Sequence, residues 1–255
     1  MKRILKSIVL LMMLLTTLEI HAQVLIIPDV HGRTFWKEAV SKYPDIPIVF
    51  WGDYIDPYDW EGITPSEALE NFKEIIKFKK ENTDQVTLLV GNHELHYFDQ
   101  FHDFSRKDTI NEQIIHDLFY ENLSLFNIAT LCTCNKKEYL FSHAGVLQLW
   151  WEKHFPNITP DAVTVCNTLN EQILDAESFS IFVDKAMMDV SMILGVEDEA
   201  GSCVWADVSE HNKKIAFPSG VYQIFGHTQL SKKPIIKKTI CRFRLSPCFH
   251  INRGR

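Results

Sequence analysis

The sequence predicts an α/β protein in which helices cross between the strands of a sheet. Three apolar segments predict buried strands: Val24–Ile27, Ile48–Trp51 and Val86–Val90. Segments with helical features lie between them, and polar residues follow each strand. This alternation is typical of a sheet with helical crossovers. Because ligands of such sheets bind beyond the carboxyl ends of the strands, the residues that follow each strand are candidate site residues.

The two intervening helices are predicted from local signals. Thr34–Tyr43 has helical character and is followed closely by two prolines, which end the helix. The second helix begins at Pro65, because Thr64 and Glu67 have the spacing of a capping box. Apolar residues then recur at helical spacing on one face as far as Phe78.

The second half of the chain has weaker patterns. We expect helices and loops over Leu95–Leu131, strands at Tyr139–Phe141 and Val221–Phe225, and a helix over Ala186–Leu194. No internal repeat, low-complexity tract or long linker divides the sequence. We therefore expect one domain with a sizeable core.

The N-terminal segment has the layout of a secretory signal peptide. Three basic residues precede the apolar run Ile8–Leu18, and Ala22 offers a small residue for cleavage. The run is shorter than the about 20 apolar residues that span a bilayer. We predict a signal peptide over residues 1–22 and a domain over 23–255. The protein is then exported, to a periplasm or the outside, without a membrane span once the signal is removed; an uncleaved signal would tether it.

Composition limits the possible partners. The net charge of −7 argues against binding to nucleic acid, which requires a basic face. The six cysteines form neither a C-x-x-C pair nor a Cys/His zinc spacing. We expect mostly buried thiols, with a bridge between Cys241 and Cys248 left open. The basic tail from Lys232 onward is expected to be a solvated face.

A potential metal ligand follows each of the five predicted strands. These residues are Asp29 and His31, Asp53, Asn92, His143 and His227. Neutral imidazole, carboxylate and amide oxygen together suit first-row transition metals. A shared carboxylate can hold two such ions, which can activate a hydroxide and polarise a phosphoryl oxygen.

One further histidine has the features of a general acid. His93 directly follows a predicted ligand and is placed to protonate a leaving alkoxide, and Asp56 is placed to orient its ring. We expect three other histidines to be structural or surface residues: His96, His102 and His116.

The motifs resemble those of the calcineurin-like metallophosphoesterases, and most closely the branch of Ser/Thr phosphoprotein and dinucleoside-tetraphosphate phosphatases. That family reads GD-x-HG, GD-x-x-D, GNH-E, H-[GA]-G and a late histidine. This chain reads PDVHG, GDYID, GNHE, SHAG and FGHT, in the same order. The resemblance implies a layered α/β/β/α sandwich, with a mixed two-sheet core and helices outside.

The resemblance also implies roles for the site residues. Asp29 and His31 would hold one metal ion, and Asp53 would bridge to a second. The second ion would be held by Asn92, His143 and His227. His93, oriented by Asp56, would protonate the leaving group.

Two positions depart from the pattern of the phosphoprotein phosphatases. Pro57 and Val90 stand where those enzymes place arginines that clamp the phosphate. Arg33 remains as a candidate phosphate ligand, since a planar guanidinium suits bidentate binding of phosphate.

The sequence therefore predicts hydrolysis of a phosphomonoester, on a small molecule or a protein, by a binuclear centre of manganese, iron or zinc. One alternative is a pyrophosphohydrolase of nucleotides or dinucleoside polyphosphates, which the FGHT motif and the absent arginines favour. An alternative of another class is a catalytically silent module that binds metal or phosphate.

Overall fold

The computed structural model describes residues 23–98, 105–134, 137–190, 199–212 and 221–229. Several sequence predictions lie outside these ranges: the signal peptide over residues 1–22, the surface position of His102, the Cys241–Cys248 bridge and the basic tail from Lys232. In the described ranges, no helix combines the length and the apolar character that a membrane span requires.

Two sheets form the centre of the fold. The first is fully parallel, in the order β1 (Leu25–Ile27), β2 (Ile48–Phe50), β3 (Val86–Leu89) and β4 (Phe126–Asn127). The second is mixed: β5 (Ala129–Cys134) runs antiparallel to β6 (Lys137–Ser142), and β7 (Tyr222–Ile224) runs parallel to β6.

Helices occupy the segments between the strands. They are α1 (Phe35–Lys42), α2 (Pro65–Glu81), α3 (Asn92–Phe98), α4 (Glu112–Glu121), α5 (Gln148–His154), α6 (Ala162–Glu171) and α7 (Ala176–Phe182). A π-helical turn, Val183–Met187, continues α7. Short 3₁₀ turns lie at Asp59–Glu61, Leu123–Leu125 and Glu210–Asn212.

The side chains of each strand alternate between two apolar layers, as a pleated strand requires. Ile26 of β1 lies in a core shared with Phe141 of β6, so the two sheets pack face to face. On the other face of the first sheet, the ring of Phe50 lies 5.7 Å from that of Trp36 in α1. Helix α6 contacts β5 and β6. The predicted α/β/β/α sandwich of one domain is confirmed.

Helix α2 begins where the sequence predicted. The Thr64 side chain accepts from the Glu67 amide at 3.2 Å, and the Glu67 carboxylate accepts from the Thr64 amide at 2.8 Å. Pro65 occupies the first helical position, where its missing N–H costs no hydrogen bond. The capping box therefore sets the start of the helix, and Phe72 and Ile75 bury its apolar face.

Two expectations from the sequence were wrong. The segment Leu95–Leu131 was expected to hold only helices and loops, but it contains β4 and the beginning of β5. A two-residue strand has no readable periodicity, and β4 exists because it pairs with β3. The helix expected over Ala186–Leu194 was also misplaced: the helical segment begins at Ala176, where Asp175 caps it, and ends at Met187. Residues 191–198 lie outside the described ranges.

Asn170 stabilises the point where the chain passes from the first sheet to the second. Its Oδ1 accepts from the backbone amides of Ile128 and Ala129 at 2.9 and 3.1 Å. Its Nδ2 donates to the Ala129 carbonyl at 2.8 Å. One side chain on α6 thus satisfies three backbone groups between β4 and β5.

We expect Asn170→Ala to lower the free energy of unfolding by about 2 to 4 kcal/mol, because it leaves buried backbone groups without partners. Urea denaturation of the full chain measures this change. Asn167→Ala is the matched control, since Asn167 lies on the exposed face of the same helix. Equal stability of the two variants would contradict this role of Asn170.

Candidate metal centre

The candidate ligands meet because their strands end at one edge of the sandwich. Asp29 and His31 follow β1, Asp53 follows β2, and Asn92 follows β3. The carboxyl ends of these parallel neighbours lie side by side. His143 and His227 follow β6 and β7, which are likewise parallel. The fold brings all six predicted metal ligands to one place.

The backbone at this edge is strained. His31, Asp53, Asp56 and His227 have φ angles of +46°, +51°, +60° and +65°, in the left-handed region that favours glycine. Each such residue costs on the order of 1 kcal/mol or more and persists only when its surroundings hold it. The amide of His31, for example, donates to the Asp53 carbonyl at 2.6 Å.

Two imidazoles direct their Nε2 atoms at one oxygen of Asp53. The Nδ1 atoms of His31 and His143 lie 3.1 and 2.6 Å from the carbonyl oxygens of Ile55 and Trp51. Carbonyls only accept, so each Nδ1 carries a proton, and Nε2 is the atom left to bind a metal ion. Both Nε2 atoms lie 3.6 Å from Asp53 Oδ2. One oxygen of Asp53 therefore lies between the Nε2 atoms of two imidazoles.

The remaining candidate ligands complete one side of this arrangement. Asn92 Oδ1 lies 3.0 Å from His143 Nε2 and 3.0 Å from His227 Nδ1. Asp29 Oδ1 lies 4.0 Å from His143 Nδ1 and is buried with no hydrogen-bond partner in the part of the chain that the structure describes. A buried carboxylate oxygen without a donor is costly unless a cation neutralises it.

Burial sets the protonation states of the candidate ligands. It lowers the pKa of His31 to about 3, with a further contribution from His93, and lowers the pKa of His227 to about 3, with a contribution from His143. Both rings are neutral at physiological pH, as metal ligation requires. Burial raises the pKa of Asp53 to about 7. Burial opposes the ionisation of Asp29 too, but the neighbouring imidazoles outweigh it and hold that pKa below its usual value.

The donor set fits transition-metal ions. Asp53, His143 and His227 form one group whose ligand atoms lie within 4.8 Å of one another; in the other group, Asp53 and His31 are joined by His93, the predicted general acid, and not by Asp29. Asp53 belongs to both groups. Two ligands of one tetrahedral ion with bonds of about 2.1 Å lie about 3.4 Å apart, close to the 3.6 Å between Asp53 Oδ2 and either imidazole.

His93 and Asp56 form the expected pair. His93 Nδ1 lies 2.9 Å from Asp56 Oδ2. The same oxygen lies 2.8 Å from His96 Nε2, and the Tyr97 hydroxyl donates to Asp56 Oδ1 at 2.6 Å. Burial opposes ionisation of Asp56, but the contacts with His93 and His96 prevail and lower its pKa to about 2. Asp56 is therefore a buried anion that accepts from His93 and Tyr97 and lies beside His96.

Glu94 is a site residue to which the sequence reasoning gave no role, although it stands in the GNHE motif. Its Oε2 accepts from the amides of Gly91 and Asp53 at 2.7 and 2.8 Å, and its Oε1 accepts from the amide of Tyr54 at 2.9 Å. The side chain joins the loops after β2 and β3. Burial raises its pKa to about 8.

The arginines and the remaining histidines have distinct positions. Arg33, the predicted phosphate ligand, donates to the carbonyls of Val30 and Asp29 at 3.0 and 3.2 Å, and its Nη1 lies 3.6 Å from Glu61. Its role stays a prediction. Arg106 also contacts the site, through His93. The sequence reasoning did not predict this residue, because it follows no predicted strand. His116 lies on α4 and stacks on Tyr120.

A family model agrees with this geometry. The model of the calcineurin-like phosphoesterases matches residues 22–228, which include every strand and every candidate ligand described above. The chain belongs to the calcineurin-like phosphoesterase family. It is therefore a metal-dependent hydrolase that acts on phosphoester bonds. A comparison with curated proteins finds no match.

The phosphoesterase site depends on Glu94 for its shape. Glu94→Ala would leave three buried amides without an acceptor, and we expect the free energy of unfolding to fall by about 3 to 6 kcal/mol. Glu94→Gln retains one acceptor oxygen and should lose less. Urea denaturation followed by tryptophan fluorescence measures both changes.

Glu121→Ala serves as the control for this series, because Glu121 is exposed at the end of α4. Its stability should stay within about 0.5 kcal/mol of the wild-type value. A Glu94→Ala variant as stable as this control would show that the Glu94 carboxylate does not hold the two loops.

Proposed function

We propose that this phosphoesterase hydrolyses a phosphomonoester with two transition-metal ions that share Asp53. The observation that carries the proposal is the position of Asp53 Oδ2, which lies 3.6 Å from His31 Nε2 on one side and 3.6 Å from His143 Nε2 on the other. The Nδ1 atoms of both rings contact carbonyls, so each Nε2 and the oxygen between them would bind a cation on each side of Asp53.

The candidate ligands divide into two sets. Asp29 and His31 would hold one ion, and Asn92, His143 and His227 would hold the other, with Asp53 common to both. When bound, two such ions would activate water as the nucleophile and polarise the phosphoryl oxygens. Manganese, iron and zinc all suit this mixture of imidazole, carboxylate and amide ligands.

The protein's own residues handle the leaving group. Asp56 accepts from His93 Nδ1 and so fixes the orientation of the ring. His93 Nε2 is then the atom that would deliver a proton to the leaving oxygen. Asp56 also stabilises a protonated ring, since it is a buried anion 2.9 Å from Nδ1. Arg33 is proposed as a phosphate ligand beside Asp29.

The substrate is proposed to be a phosphorylated small molecule or protein. The second candidate function is pyrophosphate hydrolysis in nucleotides or dinucleoside polyphosphates, which the absence of arginine at Pro57 and Val90 favours. Rates on a phosphopeptide and on a dinucleoside tetraphosphate, measured side by side, separate the two. A silent metal-binding module would hydrolyse neither.

We expect about two metal ions per chain in the full-length protein, and manganese-dependent hydrolysis of p-nitrophenyl phosphate. Asp53→Asn removes the shared anionic ligand and should reduce metal content by at least one ion. Because bound metal contributes several kcal/mol to transition-state stabilisation, activity should fall at least about 100-fold. Elemental analysis and a colorimetric assay measure the two effects.

Asp117→Asn is the matched control for this experiment, because Asp117 lies exposed on α4. It should retain both ions and full activity. Retention of two ions and of activity by Asp53→Asn would refute the shared-ligand proposal.

We expect His93→Asn to show the signature of a lost general acid. The asparagine amide can still donate to Asp56, but no proton remains for the leaving oxygen. Hydrolysis of an alkyl phosphomonoester should fall about 10²- to 10⁴-fold. Hydrolysis of p-nitrophenyl phosphate should fall much less, because its leaving group departs as a stable anion.

Steady-state kcat values on the two substrates provide the measurement, with metal content checked in parallel. His116→Asn, on the surface of α4, is the control and should lose nothing on either substrate. An equal loss on both substrates in His93→Asn would assign His93 to binding or structure rather than to proton transfer.

A further inference from the structure

Arg106 is held against the predicted general acid by three contacts. Its Nη1 donates to the Asp56 carbonyl at 3.0 Å, and its guanidinium carbon lies 3.7 Å from the centre of the Tyr58 ring. Its Nη2 lies 2.8 Å from His93 Nε2. The backbone of Arg106 has a φ of +70°, a left-handed conformation that is costly for a residue other than glycine. The chain thus accepts local strain at the residue that delivers this guanidinium.

The contact with His93 has only one possible direction. A guanidinium donates and never accepts, so His93 Nε2 is the acceptor and the proton of the ring lies on Nδ1, facing Asp56. The guanidinium therefore occupies the side of His93 from which a leaving oxygen would be protonated. Tyr58 and His93 both have ring centres 5.0 Å from that of His31, which places Arg106 beside the first set of candidate ligands.

The charge of Arg106 has no counter-ion among the described residues. The carboxylate of Asp56 faces His93, His96 and Tyr97, and only its backbone carbonyl contacts Arg106. No ion pair joins Arg106 to any carboxylate in the described ranges. A half-buried guanidinium with donors aimed at a metal-binding site is a receptor for an anion.

Arg33 differs in this respect. It is the other arginine of the described ranges, and its guanidinium already contacts the carbonyls of Val30 and Asp29 and the carboxylate of Glu61. To bind an anion, Arg106 would lose only its hydrogen bond to His93 Nε2, whereas Arg33 is already paired with a carboxylate.

We propose that Arg106 binds the phosphoryl group of the substrate and exchanges its contact with His93 for one with a phosphoryl oxygen. This inference rests on the proposed function and adds a substrate-binding residue to it. The exchange removes the guanidinium from His93 Nε2, so phosphate binding opens the side of His93 that faces the leaving oxygen. Tyr58 keeps the guanidinium plane in place during the exchange.

The test is binding of inorganic phosphate to the manganese-loaded full chain, measured by calorimetry, together with kinetics on p-nitrophenyl phosphate. We expect Arg106→Ala to raise the phosphate Kd about 10- to 100-fold, as loss of a charged hydrogen-bonding partner does, at unchanged metal content. Arg106→Lys should recover part of the affinity as a point charge without the planar fork. Added guanidinium ion should restore part of the activity of Arg106→Ala but not raise that of the wild type.

Lys77→Ala, on the exposed face of α2, is the control and should bind phosphate as the wild type does. A phosphate Kd of Arg106→Ala within twofold of the wild-type value would overturn the proposal. The proposal would also be overturned if Arg106→Ala lost its metal or its folded structure and neither Arg106→Lys nor added guanidinium ion recovered function. Arg106 would then have a structural role.

The test separates this inference from the proposed function. A wild-type protein that binds phosphate through Arg106 yet hydrolyses no phosphoester would support the inference and refute the function. If the wild type hydrolyses p-nitrophenyl phosphate and Arg106→Ala matches it in rate and in phosphate affinity, the proposed function is supported and the inference is refuted. A wild-type protein that binds no phosphate would refute the inference directly.

Discussion

The structure depends on the convergence of buried acceptor atoms around the Asp53 carboxylate. Two imidazole Nε2 atoms face one oxygen of Asp53, and a carboxylate oxygen of Asp29 is buried with no donor among the described residues. Such a cluster is unfavourable in a region of low dielectric unless cations occupy it. The chain therefore has to hold these groups together by other means, and much of the surrounding architecture does so.

Three of the candidate ligands, His31, Asp53 and His143, are held by parts of the chain distant from them in sequence. The carbonyls of Trp51 and Ile55 fix the tautomers of His143 and His31. The Glu94 carboxylate ties the loop that carries Asp53 to the loop that carries Asn92. These contacts explain how several non-glycine residues retain left-handed backbone conformations, because the strain is opposed by hydrogen bonds from neighbouring loops.

A second network lies beside the metal ligands and concerns the substrate. Asp56 accepts from His93 and Tyr97, and His93 in turn accepts from Arg106. The network joins a buried anion, an imidazole and a guanidinium in succession. Only its last member lacks a counter-ion in the described part of the chain. The arrangement links recognition of an anion to the state of the proposed general acid.

The sequence by itself determined the strands β1 to β3, the start of α2 and the set of candidate ligands. An apolar run predicts a buried strand, and the Asp, His or Asn that follows it then lies at the end of that strand. Because neighbouring strands are parallel, their carboxyl ends meet at one edge of the sheet. Tertiary structure alone decided β4 and β5, which exist through pairing and through the Asn170 contacts, and it alone revealed Glu94 and Arg106 as parts of the site. Glu94 contacts Tyr54, which is 40 residues away in the sequence, and Arg106 contacts Asp56, which is 50 residues away. Local periodicity carries no information about contacts over such separations.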